Sequence, residues 1–172
     1  MNSGVVRRTN VWLWLTLPIA ILLVLAAGGG VFISGLYRDN PYFVAQAVGQ
    51  DRMSLAVVLP TIVASAFLAS RGSHRARLVW LGGLIYLVYT YVIAAFDNRY
   101  NALFLAYVAL LACSLYALIG GVVTSNVSAI MASFRKEASV KSVSIYLGVL
   151  AILFYLLWLS EIVPALVAGA IP

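Results

Sequence analysis

Apolar residues run almost unbroken through five stretches, residues 11–37, 53–70, 78–96, 102–124 and 143–163, and short polar segments separate them. Only Glu161 brings a charge into any of these runs. A helix crosses the ~30 Å hydrocarbon core of a bilayer with roughly 20 apolar residues. Each run therefore predicts a transmembrane helix. The whole chain, residues 1–172, reads as one all-α domain: a polytopic transmembrane helical bundle of about five spans. No length is left over for a soluble catalytic module.

The segments between the runs carry local signals. The first run holds Pro18 near its start and Gly28, Gly29 and Gly30 late; a cleaved signal peptide is the alternative reading of this end. Asn40 followed by Pro41 reads as a helix start, with Asn as cap and Pro in the first turn. The pattern from Tyr42 to Gly49 predicts a short helix lying at the membrane interface, with Asp51 capping the second span. Pro60 cannot donate to the carbonyl of Ala56 and predicts a kink. Asp97, Asn98, Arg99, Tyr100 and Asn101 read as a tight turn. Val127, Ile130, Met131 and Phe134 recur at helical spacing ahead of Arg135 and Lys136. That predicts an amphipathic helix over 126–136 on the anionic inner leaflet, with an ordinary basic loop as the alternative. Asn126-Val127-Ser128 matches a glycosylation acceptor, by accident if the loop is cytoplasmic. Residues 164–172 form an apolar tail.

Charge orients the bundle. Arg7, Arg8, Arg71, Arg75, Arg77, Arg135, Lys136 and Lys141 fall on one side of the layout, and Arg38, Arg52 and Arg99 on the other. The positive-inside rule then puts the N-terminus in the cytoplasm and the C-terminus outside. Asp39, Asp51, Asp97 and Glu161 all fall outside. Trp12, Trp14 and Trp80 are expected at the inner interface, and Tyr37, Tyr42, Tyr100 and Trp158 at the outer one. The net charge of +6 is thus a membrane signal, and no nucleic-acid partner is expected. The expected partners are the lipid bilayer and a second protein or further copies of this chain.

Composition supports this picture and excludes several chemistries. The chain is 64% hydrophobic and 9% charged, where a soluble domain is about half apolar and a quarter charged. The single cysteine, Cys113, excludes an internal disulfide and a two-cysteine relay. The single histidine, His74, excludes a bis-histidine haem within one chain. No cofactor, metal or catalytic residue is expected. Candidate chemistry lies on the outer face, where three polar sets should converge. Gln50, Asp51 and Arg52 come from the first loop, Asp97 and Arg99 from the second, and Glu161 from the end of the fifth span. Arg52 or Arg99 is the expected partner of Glu161. Tyr86, Tyr89 and Thr90 share one face of the third span and extend this candidate ligand-binding set. Caps, turns and rim ion pairs are the alternative account of these residues. Gly82, Gly83, Gly120 and Gly121 predict close helix contacts.

The segments Arg38-Asp39-Asn40-Pro41, Gly49-Gln50-Asp51, Ser70-Arg71-Gly72-Ser73, Arg77-Leu78-Val79-Trp80-Leu81-Gly82 and Asn101-Ala102-Leu103-Phe104 resemble a group of uncharacterised bacterial multi-pass membrane proteins. The resemblance covers roughly residues 36–120, and more weakly 158–164. It implies a bacterial inner (plasma) membrane and an α-helical bundle, without an activity. Proteins of this kind continue with further helices, so it also implies a short member or a fragment. The leading functional expectation is a non-enzymatic membrane component that binds a partner, a lipid or a solute on its outer polar face. A small oligomeric transporter subunit comes next. A membrane-embedded enzyme, which would need Asp51, Asp97 and Glu161 to converge, comes third.

Overall fold

The computed structural model describes residues 11–133 and 140–169, and every regular element among them is helical. Five helices are long and apolar enough to cross a membrane: Val11–Phe32, Pro41–Ser70, His74–Phe96, Phe104–Val123 and Lys141–Ala168. The chain divides into two units, residues 1–133 and 134–172. The first contains α1 (Thr16–Phe32), α2 (Pro41–Met53), a π-helical turn (Ser54–Val58), α3 (Leu59–Ser70), α4 (His74–Phe96), α5 (Phe104–Val123) and α6 (Val127–Ser133). The second, by itself, is α7 (Val140–Ala168), with Pro164 inside it. Arg7 and Arg8 lie outside the described residues, as do Phe134, Arg135 and Lys136 of the expected amphipathic helix and residues 170–172.

Within the first unit α4 packs against α5 and α3, and α1 packs against α5 and α2. In α1 and α5 the buried residues fall at alternating steps of three and four. In α1 the buried stripe includes Thr16, Ile19, Leu23, Ala26 and Gly30. In α5 it is Tyr107, Leu110, Ser114, Ala117 and Gly121. That spacing keeps one seam of a helix turned toward its neighbours. The large apolar side chains between the stripes, such as Leu17, Ile21, Phe67 and Ile119, stay exposed. In water that surface would be a liability; in lipid it is the expected exterior.

Glycines set the closest approaches. A β-carbon on Gly120 would overlap the indole of Trp12, and one on Gly121 would meet Trp80. Trp80 is 0% exposed, and its indole N–H donates to the Thr16 hydroxyl at 2.8 Å. It is therefore a core residue and not the interfacial anchor expected above. A buried indole needs an acceptor, and Thr16 supplies it. Trp14, by contrast, is well exposed.

The basic turn between α3 and α4 is tight. Ser73 N–H donates to Leu68 at 3.2 Å and Gly72 N–H to Ala69 at 3.0 Å, with Gly72 at φ 92°. This is a Schellman closure, which requires the left-handed conformation that glycine adopts without strain. Ser73 then caps α4 by accepting from Ala76 N–H at 3.3 Å. Arg77 lies inside the first turns of α4. It donates from Nε to Ser125 at 2.9 Å, and from one terminal nitrogen to the Gly121 carbonyl at 3.0 Å and Thr124 at 2.8 Å. A guanidinium at the end of α5 adds a donor to the Gly121 carbonyl, one of the last-turn carbonyls, and opposes the helix dipole.

Two boundaries differ from the sequence reading. The first helix stops at Phe32, where Gly35 at φ 77° turns the chain. The expected interfacial helix over Tyr42–Gly49 and the second span are one continuous helical run, Pro41–Ser70. Asn40 caps it, accepting from Phe43 N–H at 2.9 Å. Asp51 is therefore an interior residue of the run and not a cap. The misreading has a simple origin: polar Gln46, Gln50, Asp51 and Arg52 interrupt the hydropathy of a helix whose backbone never breaks. Ahead of Pro60 the run changes helical type. The preceding turn widens, Leu59 N–H donating to Ser54, so the π-helical segment absorbs the donor that proline lacks.

Candidate functional site

A cavity of about 510 Å³ opens at the end of the first unit where α1 and α4 finish and α2 and α5 begin. It gathers Gln50 and Asp51 with Tyr86, Tyr89 and Thr90, and adds Tyr37, Tyr91, Tyr107, Gln46 and Asn98. Its lining along the second helical run ends at Val58, just short of Pro60.

Asp51 anchors the site. Its side chain turns toward α1, and the residue is only 7% exposed. Tyr37 reaches it from the turn after α1, its hydroxyl donating to Oδ2 at 2.6 Å. The turn is held by buried Leu36, whose N–H donates to Ile33 at 3.3 Å. Gly30 makes the arrangement possible, because a β-carbon there would overlap Oδ2 and crowd the Tyr37 hydroxyl. Burial first, and then the hydrogen bond to Asp51, push the Tyr37 phenol above its ordinary range. Tyr37 thus stays protonated and acts as a donor.

The far wall belongs to α4. Gln50 donates from Nε2 to Thr90 Oγ1 at 3.0 Å, tying α2 to α4 and leaving its carbonyl oxygen as an acceptor. Ser54 and Tyr86 hydroxyls lie 3.3 Å apart, so the π-helical turn forms part of the same polar layer. Tyr91 is 2% exposed and stacks at a tilt on Tyr107, ring centres 6.0 Å apart. Its hydroxyl has no hydrogen-bond partner among the described residues. Tyr107 accepts from Asn101 at 3.4 Å, and the Asn101 side chain in turn accepts from Leu103 N–H at 2.9 Å just ahead of α5. Tyr89 is 63% exposed and forms the outer lip.

The other candidates of the first unit, Asp97, Arg99 and Arg52, are not in this lining. Asp97 and Arg99 line a separate cleft of about 230 Å³ with Asp39, Asn40 and Phe43, and Phe43 borders both hollows. There Arg99 approaches Asp39 at 3.9 Å. Arg52 is exposed and lines neither hollow. Glu161 belongs to α7 in the second unit. Asp51 and Asp97, which the enzymatic reading needed side by side, line different hollows.

Three of the five lining tyrosines, Tyr37, Tyr91 and Tyr107, are outside the candidate set read from the sequence. Tyr37 looked like an interfacial anchor, since nothing in the sequence announces that Gly30 leaves room for it to turn inward. Tyr107 had a usable signal, because it heads the stripe that continues through Leu110, Ser114 and Ala117.

Among the described residues no group of three or more His, Cys, Asp or Glu side chains is placed to hold a metal ion. No family model, curated protein or solved structure matches this chain.

Proposed function

We propose that this chain is a multi-pass protein of a bacterial inner membrane, with its N-terminus in the cytoplasm, that binds a small solute, a lipid or a partner in an outward-facing cavity. The reading requires no chemistry of the protein itself. The observation that carries it is the gathering of Gln50, Asp51, Tyr86, Tyr89 and Thr90, from two different helices, around one cavity of about 510 Å³. That volume lies within the range of small-molecule sites, roughly 300–1,000 Å³, and a few polar groups converge in a mostly apolar wall. The orientation is supported by the charge asymmetry, with the cavity at the end opposite Arg71, Arg75 and Arg77.

A small transporter subunit is the second reading. It is favoured by the π-helical turn Ser54–Val58, which borders the cavity and precedes Pro60. Interrupted helices beside a site are the usual places where transporters flex.

Native mass spectrometry of the protein extracted gently from its own membrane tests the leading reading. A molecule or second protein held at fixed stoichiometry is expected. A bare homo-oligomer would shift the weight to the transporter reading. A bare monomer would remove support for both.

A further inference from the structure

The cavity also constrains the charge of its occupant. Among the described residues Asp51 is the only charged side chain in its lining, and no Lys, Arg or His borders it. Among the described residues the only ion pair is Arg99 with Asp39, so Asp51 has no cation of its own. Its one hydrogen bond there comes from Tyr37 and falls on Oδ2. A carboxylate this deeply buried and lacking a cation is costly, and a positive charge beside it offsets that cost. The rest of the wall suits such a charge. Five tyrosines, at 37, 86, 89, 91 and 107, border the cavity, and aromatic faces attract cations. The Tyr91 hydroxyl, buried and without a partner, is one more oxygen that a donor can satisfy. Gln50 commits its amide N–H to Thr90, which leaves its side-chain carbonyl as the acceptor end of the group.

We propose that the cavity binds an alkylammonium group, paired with the Asp51 carboxylate and enclosed by the tyrosine rings. This rests on the binding reading above and names the ligand class for that site. An ammonium brings up to three donors and no acceptor. Asp51, Gln50 and the tyrosine oxygens offer the matching acceptors. The same headgroup chemistry is carried by a free amine and by an amine-bearing phospholipid. The neighbouring cleft does not share this selectivity, since Arg99 there sets a positive charge against Asp39 and Asp97.

The test uses the full chain in nanodiscs made only of phosphatidylglycerol, titrated with tetramethylammonium chloride and with ethylammonium chloride, sodium chloride serving as the control. Saturable binding of at least one ammonium, and none of sodium, is expected. Asp51→Asn keeps an acceptor for Tyr37, so the fold is retained while the charge is lost. Binding should weaken on the order of tenfold or more, the size of a lost charge-assisted contact. Tyr89→Leu alters only the exposed lip and should weaken tetramethylammonium about threefold, the scale of one cation–aromatic contact. Nanodiscs containing phosphatidylethanolamine separate the two sources. Loss of amine binding there identifies the lipid headgroup as the occupant, and retention identifies a soluble amine. Equal affinity in wild type and Asp51→Asn, or no saturable binding of either cation, would overturn the proposal. If native mass spectrometry then finds a neutral or anionic molecule bound, the binding reading survives without the cation. If it finds nothing, both fall.

Discussion

The Tyr37 hydroxyl donates to Asp51 Oδ2 at 2.6 Å directly over Gly30, so one missing β-carbon decides where the buried carboxylate sits. Gly30→Ala should drive Asp51 and Tyr37 off their positions. The expected cost is about 1–3 kcal/mol, typical of overpacking in a filled interior. Gly28→Ala, two residues earlier, meets open space. It should be neutral or stabilising by up to about 1 kcal/mol, because alanine is the better helix former. Reversible unfolding in mixed detergent would compare them; equal stability of the two variants would contradict the geometry around Gly30.

Trp80 and Thr16 form a buried pair across α4 and α1. Trp80→Phe and Thr16→Val should each destabilise, and together by less than the sum. The coupling expected of a hydrogen bond inside a membrane protein is about 0.6 kcal/mol, and at most about 1.7. A double-mutant cycle measures it directly. Strict additivity would mean that the bond contributes nothing.

Arg77 ties α4 to the end of α5 with three hydrogen bonds and is 9% exposed. Thr124 and Ser125 also donate back to the Gly120 and Gly121 carbonyls, so they keep partners when the guanidinium goes. Arg77→Gln should therefore cost about 1.5–3 kcal/mol, the net value of bonds to a charged group. Arg75→Gln, on the exposed side of the same turn, should stay within about 0.5 kcal/mol of wild type. Thermal unfolding of the two variants in one detergent decides the matter; similar losses would refute the capping role.

Orientation can be tested by labelling single cysteines in a Cys113→Ala background. Ser73→Cys sits in the basic turn, and Tyr100→Cys replaces an exposed side chain at the opposite end of the first unit. An impermeant maleimide should label Tyr100→Cys in intact cells and Ser73→Cys only after the membrane is opened. The reverse pattern would invert the assignment of the cavity to the outer face.

Pro60→Ala restores the amide that the π-helical turn works around. The run should relax toward regular α-helix, shifting Ser54 away from Tyr86 and rearranging the cavity wall. Higher stability with weaker ligand binding is expected. Unchanged binding would show that the turn serves packing alone.

The sequence by itself determined the helical class, because long uncharged apolar runs have no stable alternative in lipid to a backbone that satisfies its own hydrogen bonds. It also determined the shared face of Tyr86 and Thr90, a local matter of helical spacing. It could not determine that the helix beginning at Pro41 runs unbroken through Asp51, since hydropathy falls there while backbone geometry does not change. Nor could it separate Asp51 from Asp97, or find Tyr37, Tyr91 and Tyr107. Which polar side chains meet depends on how closely α1, α2, α4 and α5 approach one another, and that is set by contacts such as Gly30 against Asp51 and Gly121 against Trp80. Those contacts join residues distant along the chain, so only the tertiary structure decides them.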